Sequence, residues 1–410
     1  MVIKKHFWVA GTVLVGGFSA FYFFIPPFFS VAYRTDTATT TSSVVASSTQ
    51  NVVPEIIVTH LQTPDAVKAI YMTACAASSG AFREKLVHIA DTTEVNSIII
   101  DIKDYSGTIS FSATDPLLKH NNGGGCRTTD LKKFIARLHD KGIYTIARIT
   151  VFQDPYYTKL HPELAVLKKS DGTVWKDFKG LSFIDVSARP YWEYIVALGK
   201  EAHAMGFDEL NFDYIRFPSD GPMKDIDYSW GEGMSKADAL EHFFSYLHDS
   251  LSPTGAKLSA DLFGMTATNN DDLNIGQVLE RALPYFDYIS PMVYPSHYPP
   301  LFNGWGNPNE HVYDVVHYSM SRAVARTIAT STPVNHLGAM RIGTSTPALY
   351  TKEPYDKNKL RPWLQDFDYG GNYGPVEVRA QIQATYDSGL NSWFLWDPKN
   401  IYTKGALLVE

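Results

Sequence analysis

Between residues 65 and 410, short β-branched apolar runs alternate with longer amphipathic stretches eight times, and no other feature limits the possible folds so strongly. The runs are Val67–Met72, Ser97–Ile102, Tyr144–Val151, Glu209–Phe217, Lys257–Phe263, Tyr288–Tyr294, Leu360–Asp366 and Ser392–Trp396. Between them, in Thr129–Lys141, Tyr191–Met205, Ala237–Leu251, Ile275–Leu283, Val312–Ala329 and Pro375–Ser388, apolar residues recur at three and four, as on the buried face of a helix. Strand, helix, strand in repetition is the signature of a parallel sheet. Gly142, Gly206, Gly255 and Gly389 each stand between a helix and the next strand, where a left-handed C-cap is wanted. A length of 410 residues would by itself suggest two domains. Eight βα units over about 340 residues instead predict one α/β domain, a (β/α)8 TIM barrel with loop insertions, over residues 65–410. Asn335–Ile342 is also strand-like and is assigned to an insertion before Leu360, because Arg361–Phe367 sits closer to the final helix.

The N-terminus is of another kind. No charged residue occurs from Phe7 to Tyr33, and Lys4 and Lys5 lie just upstream. Such a run can cross a bilayer with its positive charge left inside, so residues 1–33 are read as a cytoplasmic tip and transmembrane helix, with the rest exported. Pro26, Pro27 and the small-residue stretch Ser30-Val31-Ala32 support the alternative of a signal peptide cleaved near Ala32. The run exceeds the usual signal-peptide core of about 7–15 residues, which favours the anchor. Thr35 to Gln50 is almost wholly Thr, Ser, Ala and Val, too little apolar surface to order a chain, so residues 34–64 are expected to be a flexible linker.

Thirty-six basic against 43 acidic residues leave a net charge of -7 with no block of like charge, which argues against a nucleic-acid partner. The 13 histidines include no pair at the spacing of helical metal ligands, and no phosphate loop, dinucleotide fingerprint or GxSxG elbow occurs. No metal or cofactor is expected. Nothing in the sequence indicates an oligomeric state.

In a TIM barrel the active site is built from the C-terminal strand ends and the loops after them. That rule selects Asp101, Lys103 and Asp104 after strand two, Arg148 on strand three, Asp213 and Arg216 on strand four, and Asp261 on strand five. It also selects Tyr294 on strand six, Gln365 and Asp366 on strand seven, and Trp396 and Asp397 on strand eight. Two carboxylates flanking one bond are what glycoside cleavage requires. Asp213 and Asp261 lie on adjacent strands. Asp213, with Arg216 nearby to keep it ionised, suits a nucleophile or base; Asp261, among Ala260, Leu262 and Phe263, suits an acid of raised pKa. A purely structural ion pair of Asp213 with Arg216, Arg148 or Lys103 is the competing explanation, and Asp101 and Asp104 are substitutes for either role. Lys103, Arg148, Arg216 and Arg361 would make the mouth cationic enough to meet a sugar carboxylate, unless the neighbouring aspartates neutralise them. Tyr294, Tyr298, Trp305, Trp363 and Trp396 could stack on pyranose faces, although aromatics also fill cores. Trp393, on the opposite pleat face from Trp396, is expected in the core. Cys75 after strand one and Cys126 in the loop after strand two should project from one face, close enough for a disulfide.

The motifs VKAIYMTA, SIIIDIKDYSGTISF, ELNFDYIRFPSDG, DYISPMVYPSHY, LRPWLQDF, YGPVEVRAQI and WFLWDPKNIY together resemble the bacterial "putative glycosyl hydrolase domain" family, TIM-barrel proteins distantly similar to α-amylase-like barrels. The resemblance runs from about Val67 to Tyr402. It implies hydrolysis of O-glycosyl bonds, and it places the usual strand-four nucleophile on Asp213. In such barrels the acid is more often a glutamate after strand five; here strand five offers Asp261 and no glutamate before Glu280. Glu209, four residues before Asp213, should lie deeper in the barrel. The expected function is a membrane-anchored, extracytoplasmic glycoside hydrolase acting on an envelope or extracellular polysaccharide. A non-catalytic glycan-binding barrel is the alternative.

Overall fold

The computed structural model describes residues 56–121 and 125–409. All eight apolar runs become strands of one closed parallel barrel: β1 (Lys68–Met72), β2 (Ser97–Lys103), β3 (Tyr144–Thr150), β4 (Glu209–Asp213), β5 (Lys257–Phe263), β6 (Tyr288–Met292), β7 (Trp363–Gln365) and β8 (Trp393–Trp396). Each strand pairs with the next along the chain, and β8 closes on β1 through Lys68↔Trp393 and Ala69↔Phe394. The expected (β/α)8 barrel is therefore the observed one. The crossovers carry the helices α1 (Gly80–Ala90), α2 (Leu131–Asp140), α3 (Arg189–Met205), α4 (Lys236–Leu251), α5 (Leu279–Ala282), α6 (Val312–Ile328) and α7 (Pro375–Asp387). Their starts follow from local chemistry: Ser235 accepts the Asp238 N–H at the head of α4, and the Glu377 carboxylate accepts the Gly374 N–H before α7. The four glycines expected before strands all adopt left-handed backbone, with φ from 73° to 118°.

The pleat sorts the side chains. Leu210 and Phe212 of β4, Leu258, Ala260 and Leu262 of β5, and Ile98, Ile100 and Ile102 of β2 pack outward against the helices. Their neighbours Glu209, Asn211, Asp213, Ser259 and Asp261 must then face the barrel interior. The interior is layered. At its base, Glu209 pairs with Arg361 at 2.8 Å and accepts from the Tyr144 hydroxyl at 3.2 Å. Glu209 thus lies deep, as expected, but Arg361 does not reach the mouth, because it precedes β7 and enters at the bottom of the barrel. Above come Asn211, Ser259, Trp363 and Phe394, and above those the carboxylates of the strand ends. Trp393 packs outward in the core, as its pleat phase predicts.

Three local expectations change. Residues 56–64, assigned to the linker, lie against the barrel's lower end: the Leu61 N–H donates to Asp208 at 2.7 Å, and the His60 ring stacks on His203 at 4.0 Å. The helix expected over Ile275–Leu283 is a single turn, because Leu273, Asn274 and Gly276 hold positive φ and Gln277 turns inward to accept from the Phe263 N–H. The insertion before Leu360 forms a small antiparallel sheet of Ser331–Thr332, Arg341–Ile342 and Leu349–Thr351. Cys75 and Cys126 form the disulfide, with Cα atoms 4.7 Å apart. The expected anchor and most of the linker lie outside the described residues; among the described residues no helix is long and apolar enough to cross a membrane.

Candidate active site

Strand β4 ends abruptly. Tyr214 adopts φ +51°, a left-handed conformation that costs a non-glycine residue about 1–3 kcal/mol, and such strain clusters at functional sites. The turn brings the Tyr214 N–H back onto Asp213 Oδ1 at 2.5 Å. Asp213 Oδ2 accepts a hydrogen bond from Arg148 Nη2. Arg148 sits on β3, between β2 and β4, and its other terminal nitrogen donates to Asp101 Oδ1 at 2.6 Å. The Tyr71 hydroxyl donates to the second oxygen of Asp101. Burial opposes charge on the guanidinium, but Asp101 and Asp213, with Tyr71 and Asp261 behind them, outweigh it and raise the Arg148 pKa well above its ordinary value. Burial lifts the Asp101 carboxyl above the usual range despite Arg148 and Tyr71.

Asp261 is 1% exposed. Its Oδ1 accepts from Asn211 Nδ2 and from the Trp363 indole N–H, each at 2.8 Å. Among the described residues its Oδ2 has no hydrogen-bond partner, and it lies 3.9 Å from Arg148 Nε, too far for a hydrogen bond. Burial, reinforced by the nearby charge of Asp213, pushes the Asp261 pKa well above the carboxylate range. The oxygen that takes the proton is then Oδ2, since Oδ1 is already occupied as an acceptor twice. The site therefore joins a carboxylate held by a guanidinium to a neighbouring carboxyl that burial favours in its protonated form.

A cavity of about 260 Å³ opens over these groups, lined by Arg148, Asp213, Asp261, Tyr214, Arg216 and a wall of Phe263, Met265, Met292, Tyr294, His297, Tyr298, Trp363 and Trp396. Tyr294 stacks on Trp396 at 5.3 Å, and Phe367 buttresses Trp396 edge-on at 4.9 Å. A second chamber of about 470 Å³ shares Arg148, Tyr214, Arg216 and Trp396 with the first and is bordered by Asp101, Gln153, Asp177, Lys179 and Asp220. Asp101, Arg148, Asp213, Arg216, Asp261, Tyr294 and Trp396 thus converge, as the strand-end rule expects.

Other candidates stand elsewhere. Lys103 is fully buried in an ion pair with Asp154 at 2.9 Å. Asp104 accepts from Ser106 in a tight turn, at 2.9 Å from its N–H. Gln365 is spent on Ser296 and the Phe367 carbonyl, and Asp397 accepts the N–H groups of Lys399 and Ile401 within its own loop. Asp366 is buried against Thr403. Trp305 packs on Phe302 and His311, away from the cavity. Arg216 is not the partner of Asp213; Arg148 is. Tyr71 and Asn211, which orient the carboxyls, were missed, although both lie in the inward phase of their strands and Asn211 is two residues before Asp213.

The sequence profile of the family described as "Putative glycosyl hydrolase domain" matches residues 69–402. The chain belongs to this family. Its enzyme class is accordingly that of the glycoside hydrolases. No curated protein matches the sequence significantly. Among solved structures, the glycoside hydrolase domain of PgaB (BpsB) from Bordetella bronchiseptica is 12% identical, aligned over 82% of this chain and 95% of its own, with a TM-score of 0.54. The α-L-fucosidase isoenzyme 2 from Paenibacillus thiaminolyticus is 11% identical over 83% of this chain and 48% of its own, with a TM-score of 0.52. These two share the fold. A hypothetical protein from Ruminiclostridium thermocellum is 30% identical over 50% of this chain and 98% of its own, with a TM-score of 0.43.

Proposed function

We propose that this glycosyl hydrolase family member is a membrane-anchored, extracytoplasmic enzyme that cleaves an envelope or extracellular polysaccharide with Asp213 as nucleophile and Asp261 as general acid. One observation carries the assignment: two inward carboxyls on adjacent strands share Arg148, and burial splits their roles by keeping the proton on Asp261. Asp261 gives that proton to the departing glycosidic oxygen while Asp213 bonds to the anomeric carbon, so the C–O bond breaks as a glycosyl ester forms. Water, deprotonated by the Asp261 carboxylate left behind, then cleaves the ester and restores both groups. Arg148 and the Tyr214 N–H orient Asp213, and the Tyr294–Trp396 stack offers an apolar face for a pyranose ring. The charge-free run after Lys4 and Lys5 supports the anchored, exported topology.

Release of reducing ends from isolated cell-envelope polysaccharide tests the assignment. Wild type should release them, whereas Asp213→Asn and Asp261→Asn, nearly isosteric, should fold and lose activity by several orders of magnitude. Glycan binding without hydrolysis by the wild type would instead favour a non-catalytic binding barrel.

A further inference from the structure

Four cations stand at or near the strand ends by sequence, and three are neutralised within the protein. Lys103 pairs with Asp154, Arg361 with Glu209, and Arg148 with Asp101 and Asp213. Arg216 is the exception: it is 8% exposed, yet no carboxylate of the described residues lies within 4.0 Å of it. Its Nη1 donates to the Phe217 carbonyl at 3.2 Å and to Ser219 Oγ at 3.1 Å. Its Nε and Nη2, the edge that matches a planar oxyanion, have no protein acceptor among the described residues. The guanidinium is held between the Tyr214 and Phe263 rings, with centroids 4.9 and 4.7 Å away. Tyr214 is in turn fixed by the strained end of β4.

A buried cation without a counter-ion is unfavourable, and aromatic faces offset only part of its lost hydration. Asp177 and Asp220 border the second chamber but stop short of pairing with it. Arg216 itself lines both chambers. We infer that Arg216 is an anion subsite, and that the glycan cleaved here carries an acidic substituent, a carboxylate or a phosphate, held bidentately by Nε and Nη2. A guanidinium clamped in plane suits that geometry in a way that a lysine would not. The identity of the ligand as a sugar rests on the hydrolase assignment; the anion preference does not.

Calorimetric titration of the full-length protein with D-glucuronic acid, D-glucose 6-phosphate and D-glucose tests the subsite, and the stronger of the two acids identifies the substituent. One acid should bind at least about tenfold more tightly than glucose, the ratio expected from one charge-assisted pair. Arg216→Gln should remove that preference, so that acid and glucose bind with similar affinity. Arg216→Lys, which keeps the charge but not the fork, should weaken the acid by about tenfold and serves if the Gln variant does not fold. Equal binding of acid and neutral sugar, no binding of either acid, or a preference that survives both substitutions overturns the subsite. Hydrolysis separates the two proposals. If 4-nitrophenyl glucosides are cleaved as fast as the matching glycosides of the acid preferred in the titration, the subsite fails and the hydrolase stands; if acid binding depends on Arg216 but nothing is cleaved, the reverse holds.

Discussion

Replacing Arg148 by methionine keeps much of the side-chain length and removes the cation that holds the strand ends together. The Arg148 side chain is 12% exposed, and its loss strands Asp101 and Asp213, whose side chains are 3% and 7% exposed. Breaking a buried ion pair by removing one partner costs about 3–5 kcal/mol. The cost should not double for two stranded carboxylates, because Asp101, already lifted by burial, can take up a proton instead of remaining charged. At about 2–4 °C per kcal/mol, the melting temperature should fall by roughly 6–20 °C, nearer the lower figure for a domain of this size. The sign of the pH dependence follows from the carboxyls. Without Arg148 the Asp101 carboxyl, already lifted by burial, stands still further above its unfolded pKa, so the folded state binds more protons and loses stability as pH rises through that interval. Thermal unfolding followed by circular dichroism should therefore show a small deficit near about pH 5 and a larger one near about pH 8. A variant that melts with the wild type at the higher pH, or whose deficit does not change with pH, would refute the shared-cation account.

Asp366 offers an independent pH test: burial raises it to about 7 against the hydrogen bonds from Thr403, and no part of it lines the cavity. Its folded pKa exceeds the unfolded one, so wild-type stability should decline from about pH 4 to about pH 7. Asp366→Asn should flatten that slope while hydrolysis is unaffected; an unchanged slope in urea titrations would remove the assignment. The topology is tested on intact spheroplasts, where added protease should cut between residues 34 and 55 and release a soluble barrel. Full-length protein that survives until lysis would place the barrel in the cytoplasm.

The barrel was legible in the sequence because each strand carries its own phase. In β4, Leu210 and Phe212 alternate with Glu209, Asn211 and Asp213, and this period of two separates the helix-facing side from the interior without any knowledge of partners. Positions beyond a break in the pleat were not legible. The left-handed Tyr214 resets the phase after Asp213, so Arg216, three residues on, turns to Tyr214 and Phe263 instead of reaching Asp213. A register shift between Asp101 and Lys103 likewise sends Lys103 toward Asp154 and away from the mouth. Asp104 and Asp397 stand where the strand-end rule points, but short loops claim their oxygens for nearby N–H groups, a local competition that residue type alone does not reveal. Arg361 shows the converse limit. Its sequence neighbours suggest a strand end, yet it precedes β7 and belongs to the base of the barrel with Glu209.

Azide rescue tests the two-carboxylate mechanism most directly. Asp213→Gly leaves room for a small anion where the nucleophile stood, and an aryl glycoside with a good leaving group needs no help from Asp261. The variant should be nearly inactive alone, and sodium azide should restore turnover with a glycosyl azide of anomeric configuration opposite to the substrate. Wild-type turnover without azide, or a glycosyl azide of retained configuration, would contradict Asp213 as the nucleophile.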